Sequence, residues 1–484
     1  MTNVATVGSR GRVVIAGASG FIGRELARAL SATTDIIALA RRTDGMVAEP
    51  GVEWRDCDLF NLRDAERALA GAKMAFYLVH SMMPSSRLTQ ARFDDLDLIC
   101  ADNFARAAAS NGVEHIVYLG GLLPSERDVA LSRHLESRFE VERTLASHGV
   151  PVTTLRAGLI LGAGGSSFQM MSRLVGRLPL MIAPMWTSSK TQPIALADAV
   201  ALLVFAMTRS DLAGHAYDIG SPDVVTYAQM LRMTGAAMGR KTRVLTVPVR
   251  TAKLSLLWVS VVTGAPQALV RPLVESLQHD MVATDGLVLQ KMAHLDASHL
   301  APALERAVAD ERAHEVVPRK ARRAPAPPDR RACSMQRLPL PAGRDAAWVA
   351  AEYARWLPMF MRPFLRVSVD DARVCRFGIW PLKTPLLVLA FSAERSSPDR
   401  QLFYVTGGLL AGEPAAVGAR PRLEFRSVLD SKFVVAAVLD FVPRLPWFIY
   451  KFSQALVHLF VMRSFGRHLA HIDRPAAPAG ALAH

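Results

Sequence analysis

Seven residues near the amino terminus have the makeup of a phosphate-binding turn: Gly17-Ala18-Ser19-Gly20-Phe21-Ile22-Gly23. They follow a short β-branched run at 12–16 and open a helical pattern at 21–31. In such a turn Gly17 permits the tight bend, Gly20 lets the backbone approach a pyrophosphate, and Gly23 lets the helix pack closely. The helix start then presents free N–H groups and a partial positive charge to an anion. A glycine-rich turn alone is a weak signal. Here the preceding strand, the Arg24-Glu25-Leu26 continuation and the next strand all fall in register. The chemistry indicated is the binding of a dinucleotide.

The ends of the following strands refine that reading. An acidic residue about 20 positions past the loop would hold the ribose 2′-hydroxyl of NAD(H). This chain has Ala40-Arg41-Arg42 instead. Two guanidiniums suit a 2′-phosphate through bidentate, charge-assisted bonds, so NADP(H) is favoured. Asp44 is near enough to keep NAD(H) as the alternative. Asp58 and Leu59 follow the third strand, where they would face the adenine. Val79 and His80 follow the fourth and would line the cleft, His80 more as a structural helper than as an acid or base.

These positions require a parallel sheet with crossover helices, and the first half of the chain has that pattern. Strands are expected at 12–16, 35–40, 52–57, 74–79, 115–119 and 152–155, with helices at 21–31, 62–70, 87–110 and 132–148. The fold class is therefore α/β, a doubly wound parallel sheet. After Arg156 regularity loosens, and Gly164-Gly165-Ser166-Ser167 offers either a helix cap or a second anion-binding nest.

At 484 residues the chain is long enough for two domains, with 51% hydrophobic and 21% charged residues. The net charge of +14 reads mainly as scattered surface arginine. No aromatic-plus-basic pattern or zinc-finger spacing points to nucleic acid. The four cysteines, Cys57, Cys100, Cys333 and Cys375, have no CxxC spacing, which fits neither a disulfide framework nor a zinc site. The expected location is cytoplasmic. The apolar stretches 254–270 and 433–450 are too short or too interrupted to span a bilayer, and contact with a membrane surface stays open.

From 318 to 341 the chain is basic and proline-rich and reads as an extended linker. It separates residues 1–317 from a second domain at 342–475, and 476–484 is an expected disordered tail. The second domain has a helix at 345–357 and strand-like runs at 367–377, 386–391, 402–406, 423–428 and 434–441. One long helix follows at 447–471. That order packs naturally as a curved antiparallel sheet gripping the last helix. Trp447, Phe448, Phe452, Leu456, Phe460 and Met462 would face inward, as plain core or as the wall of a site for a hydrophobic molecule. Lys451, Arg463 and Arg467 make the same helix basic, and so compatible with an anionic membrane. His458, His468 and His471 are too far apart for a convincing metal site.

The loop, Asp58, the strand Ile116-Val117-Tyr118-Leu119, the segment Leu155-Arg156-Ala157-Gly158 and Pro193-Ile194-Ala195-Leu196-Ala197-Asp198 together resemble the short-chain dehydrogenase/reductase superfamily. The resemblance covers about residues 10–310 and lies in the extended and atypical branches. It is nearest to NmrA-like NAD(P)-binding proteins that carry an extra carboxy-terminal domain, to which 441–447 is similar. That extra domain resembles helix-grip modules of the START and polyketide-cyclase type, which makes it α+β. The superfamily's usual chemistry implies a serine after the fifth strand and Tyr-x-x-x-Lys on the next helix. The aligned positions here are Gly120-Gly121, and His134 and Arg138 in place of the tyrosine and lysine.

Two functions follow from that departure. In one, His134 is a general acid near its ordinary pKa of about 6.5 and Arg138 holds the ribose and stabilises negative charge, giving an NAD(P)H-dependent oxidoreductase on a small or lipophilic substrate. In the other, catalysis is lost and the domain is a nucleotide-responsive sensor or scaffold. No metal is expected.

Overall fold

The computed structural model describes residues 11–47, 49–80, 88–124, 131–247, 276–316, 331–412 and 420–472. The apolar stretch 254–270, the basic part of the expected linker and the 476–484 tail lie outside them. The chain divides into two compact units. One comprises Met1–Met83 with Asp97–Arg322, the other Pro84–Leu96 with Arg323–His484.

The first unit is built on a seven-stranded sheet. Its strands are β1 (Arg12–Ala16), β2 (Ile36–Ala40), β3 (Val52–Asp56), β4 (Ala72–Tyr77), β6 (His115–Gly121), β7 (Val152–Ala157) and β12 (Ala216–Ile219), in the order β12-β7-β6-β4-β1-β2-β3. Every pairing is parallel. β1 and β2 are buried on both faces, which is why they read as unbroken apolar runs. Strand order reverses direction between β1 and β4, which opens a crevice at their carboxyl ends. The short run Ala216–Ile219 was not among the six expected strands and adds a seventh at the edge.

Helices α1 (Phe21–Leu30), α2 (Leu62–Ala68), α3 (Phe93–Ser110), α4 (Arg133–Ala146), α5 (Ser166–Arg177) and α6 (Leu196–Thr208) cross between the strands or flank them. α1 buries Gly23, Leu26, Ala27 and Leu30, spaced as one helical face. Two apolar clusters form the core, one containing Val14, Ile37 and Phe104, the other Ile15, Leu26 and Leu203. Short pairs β8 (Ile160–Leu161) with β11 (Ile194–Ala195), β9 (Leu180–Pro184) with β14 (Arg243–Val247), and β10 (Lys190–Thr191) with β13 (Val225–Thr226) complete the unit. So do α7 (Tyr227–Ala237), α8 (Val288–Met292) and α9 (Leu300–Val316).

The second unit contains an eight-stranded sheet in the order β16-β17-β18-β19-β20-β21-β15-β5. Its strands are β5 (Leu88–Gln90), β15 (Ala332–Pro339), β16 (Leu365–Val369), β17 (Val374–Ile379), β18 (Leu387–Phe391), β19 (Arg400–Gly407), β20 (Arg422–Val428) and β21 (Phe433–Phe441). β15 to β21 pair antiparallel, and β5 joins β15 in parallel. Helix α10 (Ala346–Phe360) follows β15, and α11 (Trp447–Phe452) and α12 (Gln454–Ile472) follow β21. Val349 and Tyr353 of α10, Met462 and Phe465 of α12, and Phe425, Val434 and Ala436 of the sheet share one core.

Four expectations change here. Residues 332–339 are strand β15 rather than linker, because the proline- and arginine-rich composition ends just before them. The helix expected from residue 87 begins at Phe93, with Asp94 and Asp95 in its first turn, where acids complement the helix dipole. The run 367–377 is two strands, β16 and β17, joined through Arg373 at φ 57°. The last helix is two, because Ser453 (φ −125°, ψ −86°) breaks it. Among the described residues no helix is long and apolar enough to cross a membrane.

Candidate functional site: the crevice between β1 and β4

The loop from Gly17 to Gly23 leaves β1 at the point of strand reversal. Gly17 has φ 89°, and a Cβ there would lie 3.0 Å from the Leu78 carbonyl oxygen. The Gly20 amide donates to the Gly17 carbonyl at 2.9 Å and closes the turn. A Cβ on Gly23 would lie 2.2 Å from that same carbonyl oxygen, so this glycine lets α1 pack on its own loop. Ala18 is fully buried, Ser19 and Gly20 are exposed, and Ile22 is half-buried. Phe21 turns its ring toward Gly162 and Gly165, where an added Cβ would lie 3.0 Å from it.

α1 has no side-chain cap and no acid in its first turn. By contrast, Asn61 caps α2, Ser132 caps α4 and Thr226 caps α7. Uncapped N–H groups on an exposed glycine turn are what a pyrophosphate would engage, so these residues fit a dinucleotide.

The other loops expected at the site end the neighbouring strands. Arg41 and Arg42 follow β2 and are exposed. Arg42 lies 3.0 Å from Asp44, so the acid that could favour NAD(H) is engaged by an arginine. Asp56 accepts from the Thr43 amide at 2.7 Å and ties the loop after β2 to β3. Asp58 accepts from the Phe60 amide, and the Leu59 carbonyl accepts from Asn103 of α3 at 2.7 Å. Val79 packs on the core below.

His80, His134 and Arg138 come together. The His80 and His134 rings are 5.1 Å apart, and His134 and Arg138 stand one turn apart on α4. His80 Nδ1 is 3.1 Å from Asp97 Oδ2, and 23% of its side chain remains exposed, although Nε2 itself is buried. Arg138 is buried and donates to the Tyr118 hydroxyl at 3.5 Å, while that hydroxyl donates to the Arg138 carbonyl at 3.2 Å. His80 Nε2, His134 Nδ1 and the Tyr77 hydroxyl are buried without a hydrogen-bond partner. Unpaired buried polar atoms are destabilising by about 1–3 kcal/mol each, which marks the cluster as costly for folding alone.

The electrostatics follow from that burial. Desolvation and the Arg138 charge push His80 down to about 4, against the upward pull of Asp97. Desolvation, His80 and Arg138 hold His134 well below the ordinary imidazole value. His134 is therefore neutral near pH 7, and the expected general acid at an ordinary pKa is corrected. With Nδ1–H directed at the Asp97 carboxylate, His80 keeps a lone pair on Nε2. Arg138 stays charged: desolvation opposes the charge, but Tyr118 and Asp97 outweigh it. It is enclosed beside Tyr118 rather than displayed on an open surface.

Asp97 was not singled out in the sequence. It shares the helical spacing of Cys100, Ala101 and Phe104, all buried, and an acid on an apolar helical stripe was the available signal. Two other expectations resolve to structural roles. Arg156 forms a bidentate pair with Glu142 at 3.0 and 2.6 Å. The Gly164 amide is taken by Glu311 of α9 at 2.7 Å, so the 164–167 turn holds a carboxylate of the chain itself.

Comparison with known proteins agrees with this geometry. A family described as NAD(P)H-binding matches residues 17–173. The first unit is a Rossmann-type domain whose residues 17–173 are similar to that NAD(P)H-binding family. The chain is 29% identical to auxiliary protein GraX of Staphylococcus aureus over 146 residues, 30% of this chain and 43% of that protein. It is 25% identical over 246 residues to (4-alkanoyl-5-oxo-2,5-dihydrofuran-3-yl)methyl phosphate reductase of Streptomyces griseus, 51% of this chain and 80% of that one. Among solved structures, triphenylmethane reductase of a Citrobacter species with NADP(H) superposes with a TM-score of 0.49 at 17% identity. That match covers 61% of this chain and 99% of the other.

Proposed function

We propose that this protein is an NADP(H)-dependent reductase whose proton-handling group is His80 rather than His134. The observation that carries the reading is the His80–Asp97 pair beside His134 and Arg138, buried at the carboxyl ends of β4 and β6 with polar atoms unpartnered. The named activity of the Streptomyces relative supports the reductase class.

The dinucleotide, bound by the loop 17–23 with Arg41 and Arg42 on its 2′-phosphate, supplies a hydride. Asp97 fixes the His80 ring. In the oxidative direction neutral Nε2 takes the proton of the substrate hydroxyl. In the reductive direction, where the hydride goes to a carbonyl carbon, Nε2 is first protonated from water and then gives that proton to the carbonyl oxygen. Arg138 stabilises negative charge on the substrate oxygen from a site that excludes most water. Neutral His134 can donate its one N–H to that oxygen as a hydrogen bond.

The second unit supports a helix-grip reading: β15, then α10, a six-strand meander and a closing helix against the same face. We read it as the site of a lipophilic molecule. Phe452, Leu456 and Phe460 are exposed, and Arg463 and Arg467 continue their stripe along α12. An apolar and basic stripe of this kind suits peripheral contact with an anionic bilayer.

The test is NADPH consumption by the full chain across a panel of quinones and conjugated ketones. His80→Ala should lose about 10²–10⁴-fold in turnover with NADPH affinity changed less than threefold, roughly 0.6 kcal/mol. Binding without turnover for any acceptor, with His80→Ala silent, would leave a nucleotide-responsive binding protein instead.

A further inference from the structure

The second unit has a partly open cavity of about 340 Å³ between its sheet and its helices, with Phe364 and Val457 of its wall more than half exposed. That volume is at the lower end of the roughly 300–1,000 Å³ typical of small-molecule sites. Its wall contains Leu357, Phe377, Leu389, Leu423, Val438 and Val461, and no Asp, Glu, Lys or Arg. An ionised ligand would find no countercharge there and would lose its hydration, so the wall selects an uncharged molecule.

Two polar groups interrupt this wall from one helix. Gln454 and His458 both line the cavity and stand four residues apart on α12, hence on one face. Gln454 Oε1 is buried with no hydrogen-bond partner. Burial alone pushes His458 down to about 4, so its imidazole is neutral at pH 7 and offers one donor and one acceptor. Gln454 lines the cavity, and an acceptor left without a partner is unfavourable, so a turn of this side chain toward a donor in the cavity would satisfy its oxygen.

Of the residues expected to face inward, Met462 does, in the core, and Phe452, Leu456 and Phe460 do not, being more than half exposed. The break at Ser453 shifts the helical phase, so Tyr450, Gln454, Val457, His458 and Val461 form the cavity face. The side chains of Trp447 and Phe448 lie outside the described residues.

We propose that this cavity binds an uncharged, largely apolar small molecule with a single polar end, an N–H or O–H donor held by Gln454 with His458 beside it. This rests on the reading of the second unit as a site for a lipophilic molecule and adds the ligand's charge and the group that anchors it.

The experiment uses full-length protein and the fluorescence of N-phenyl-1-naphthylamine, an uncharged two-aromatic probe with one N–H. The comparison probes are its N-methyl derivative, which lacks the donor, and 8-anilinonaphthalene-1-sulfonate, which adds a charge. Val405→Trp fills the cavity, Val457→Trp fills it from the helix side, and Gln454→Leu removes the acceptor. The expected result is one saturable site per chain, abolished in both Trp variants. Binding should weaken about tenfold both in Gln454→Leu and on N-methylation, and at least tenfold for the sulfonate, one factor of ten each. Unchanged hydrogen-exchange protection of β20 and β21 shows that the second unit of each variant is folded. Binding that the Trp variants abolish but Gln454→Leu and N-methylation leave unchanged overturns the anchor and leaves the lipophilic reading standing. Equal binding of the sulfonate overturns the requirement for an uncharged ligand. No binding, or binding indifferent to both Trp variants, overturns the lipophilic reading as well.

Discussion

The crevice of the first unit and the cavity of the second are both lined by buried side chains, and they differ in charge. The crevice has an uncapped helix start, two exposed arginines on its rim, and half-buried His80 and His134 beside buried Asp97 and Arg138. Among the described residues the cavity has no Asp, Glu, Lys or Arg in its wall, and of its lining Gln454 has a buried polar atom without a partner, with His458 beside it. A site for a polyanion spends its polar groups on charge. A site for a lipophile excludes charge and keeps a single anchor. The two regions should therefore answer to different substitutions, and each can be silenced without the other.

The largest effect is expected from Gly20→Asp. The residue has φ −76° and ψ 176°, which any residue adopts, and it is the amino-terminal cap of α1. Aspartate is a favoured cap, but its Cβ would lie 3.0 Å from the Gly17 carbonyl oxygen, so the capping gain is offset by that crowding and the stability of the unliganded protein should change little. The same carboxylate would sit where the pyrophosphate must, and NADPH affinity should fall at least about 100-fold, near 2.8 kcal/mol. Calorimetric titration measures this, with naphthylamine binding by the second unit as the control. Unchanged NADPH affinity would mean the loop does not hold the phosphates.

A smaller and selective effect is expected from Arg41→Ala/Arg42→Ala. NADPH affinity should fall about tenfold or more while NADH changes less than twofold, because charge-assisted bonds contribute roughly 1.5–3 kcal/mol. Both arginines are exposed, so the difference should shrink as salt is added. Equal losses for both nucleotides would place the arginines on the shared diphosphate and remove the preference.

The sequence made the crevice legible and left the cavity mostly dark, for a physical reason. A glycine turn between a strand and a helix is local, and its residues and their job lie within seven positions. The parallel sheet was legible because β1 and β2 are short runs buried on both faces and β4 ends in the buried apolar run Ala75–Tyr77. Asp97 was hidden because its partner His80 is 17 residues away and comes from another element. The neutral state of His134 was hidden too, since desolvation belongs to the folded environment and not to the residue type. In the second unit the helical face depended on phase carried through Ser453, where the backbone breaks. An error of one or two residues turned the exposed stripe 452/456/460 into the expected interior. Likewise β15 was absorbed into the linker because proline and arginine dominate the residues just before it.

The smallest effect, and the finest test of the contrast, is the response of each unit to acid. His80 sits near 4 in the folded state and His134 is also depressed, against about 6.5 when unfolded. Between those values the unfolded chain binds more protons than the folded one. The stability these groups contribute is complete above about pH 6.5 and is lost as pH falls toward 4, at up to about 1.4 kcal/mol per pH unit for each proton taken up. His458 gives the second unit the same window through a single group. Hydrogen exchange resolved by segment, from pH 7 to 5, separates the two units without assuming one unfolding transition. The loss of protection should flatten in β4 and β6 for His80→Ala, and in β20 and β21 for His458→Leu, each without altering the other. NADPH should raise protection across β1, α1 and β4 and leave the acid response of β20 and β21 unchanged. An acid response of β4 and β6 as steep in His80→Ala as in the parent chain would show that His80 is not the desolvated group, and the assignment of proton transfer to it would fall.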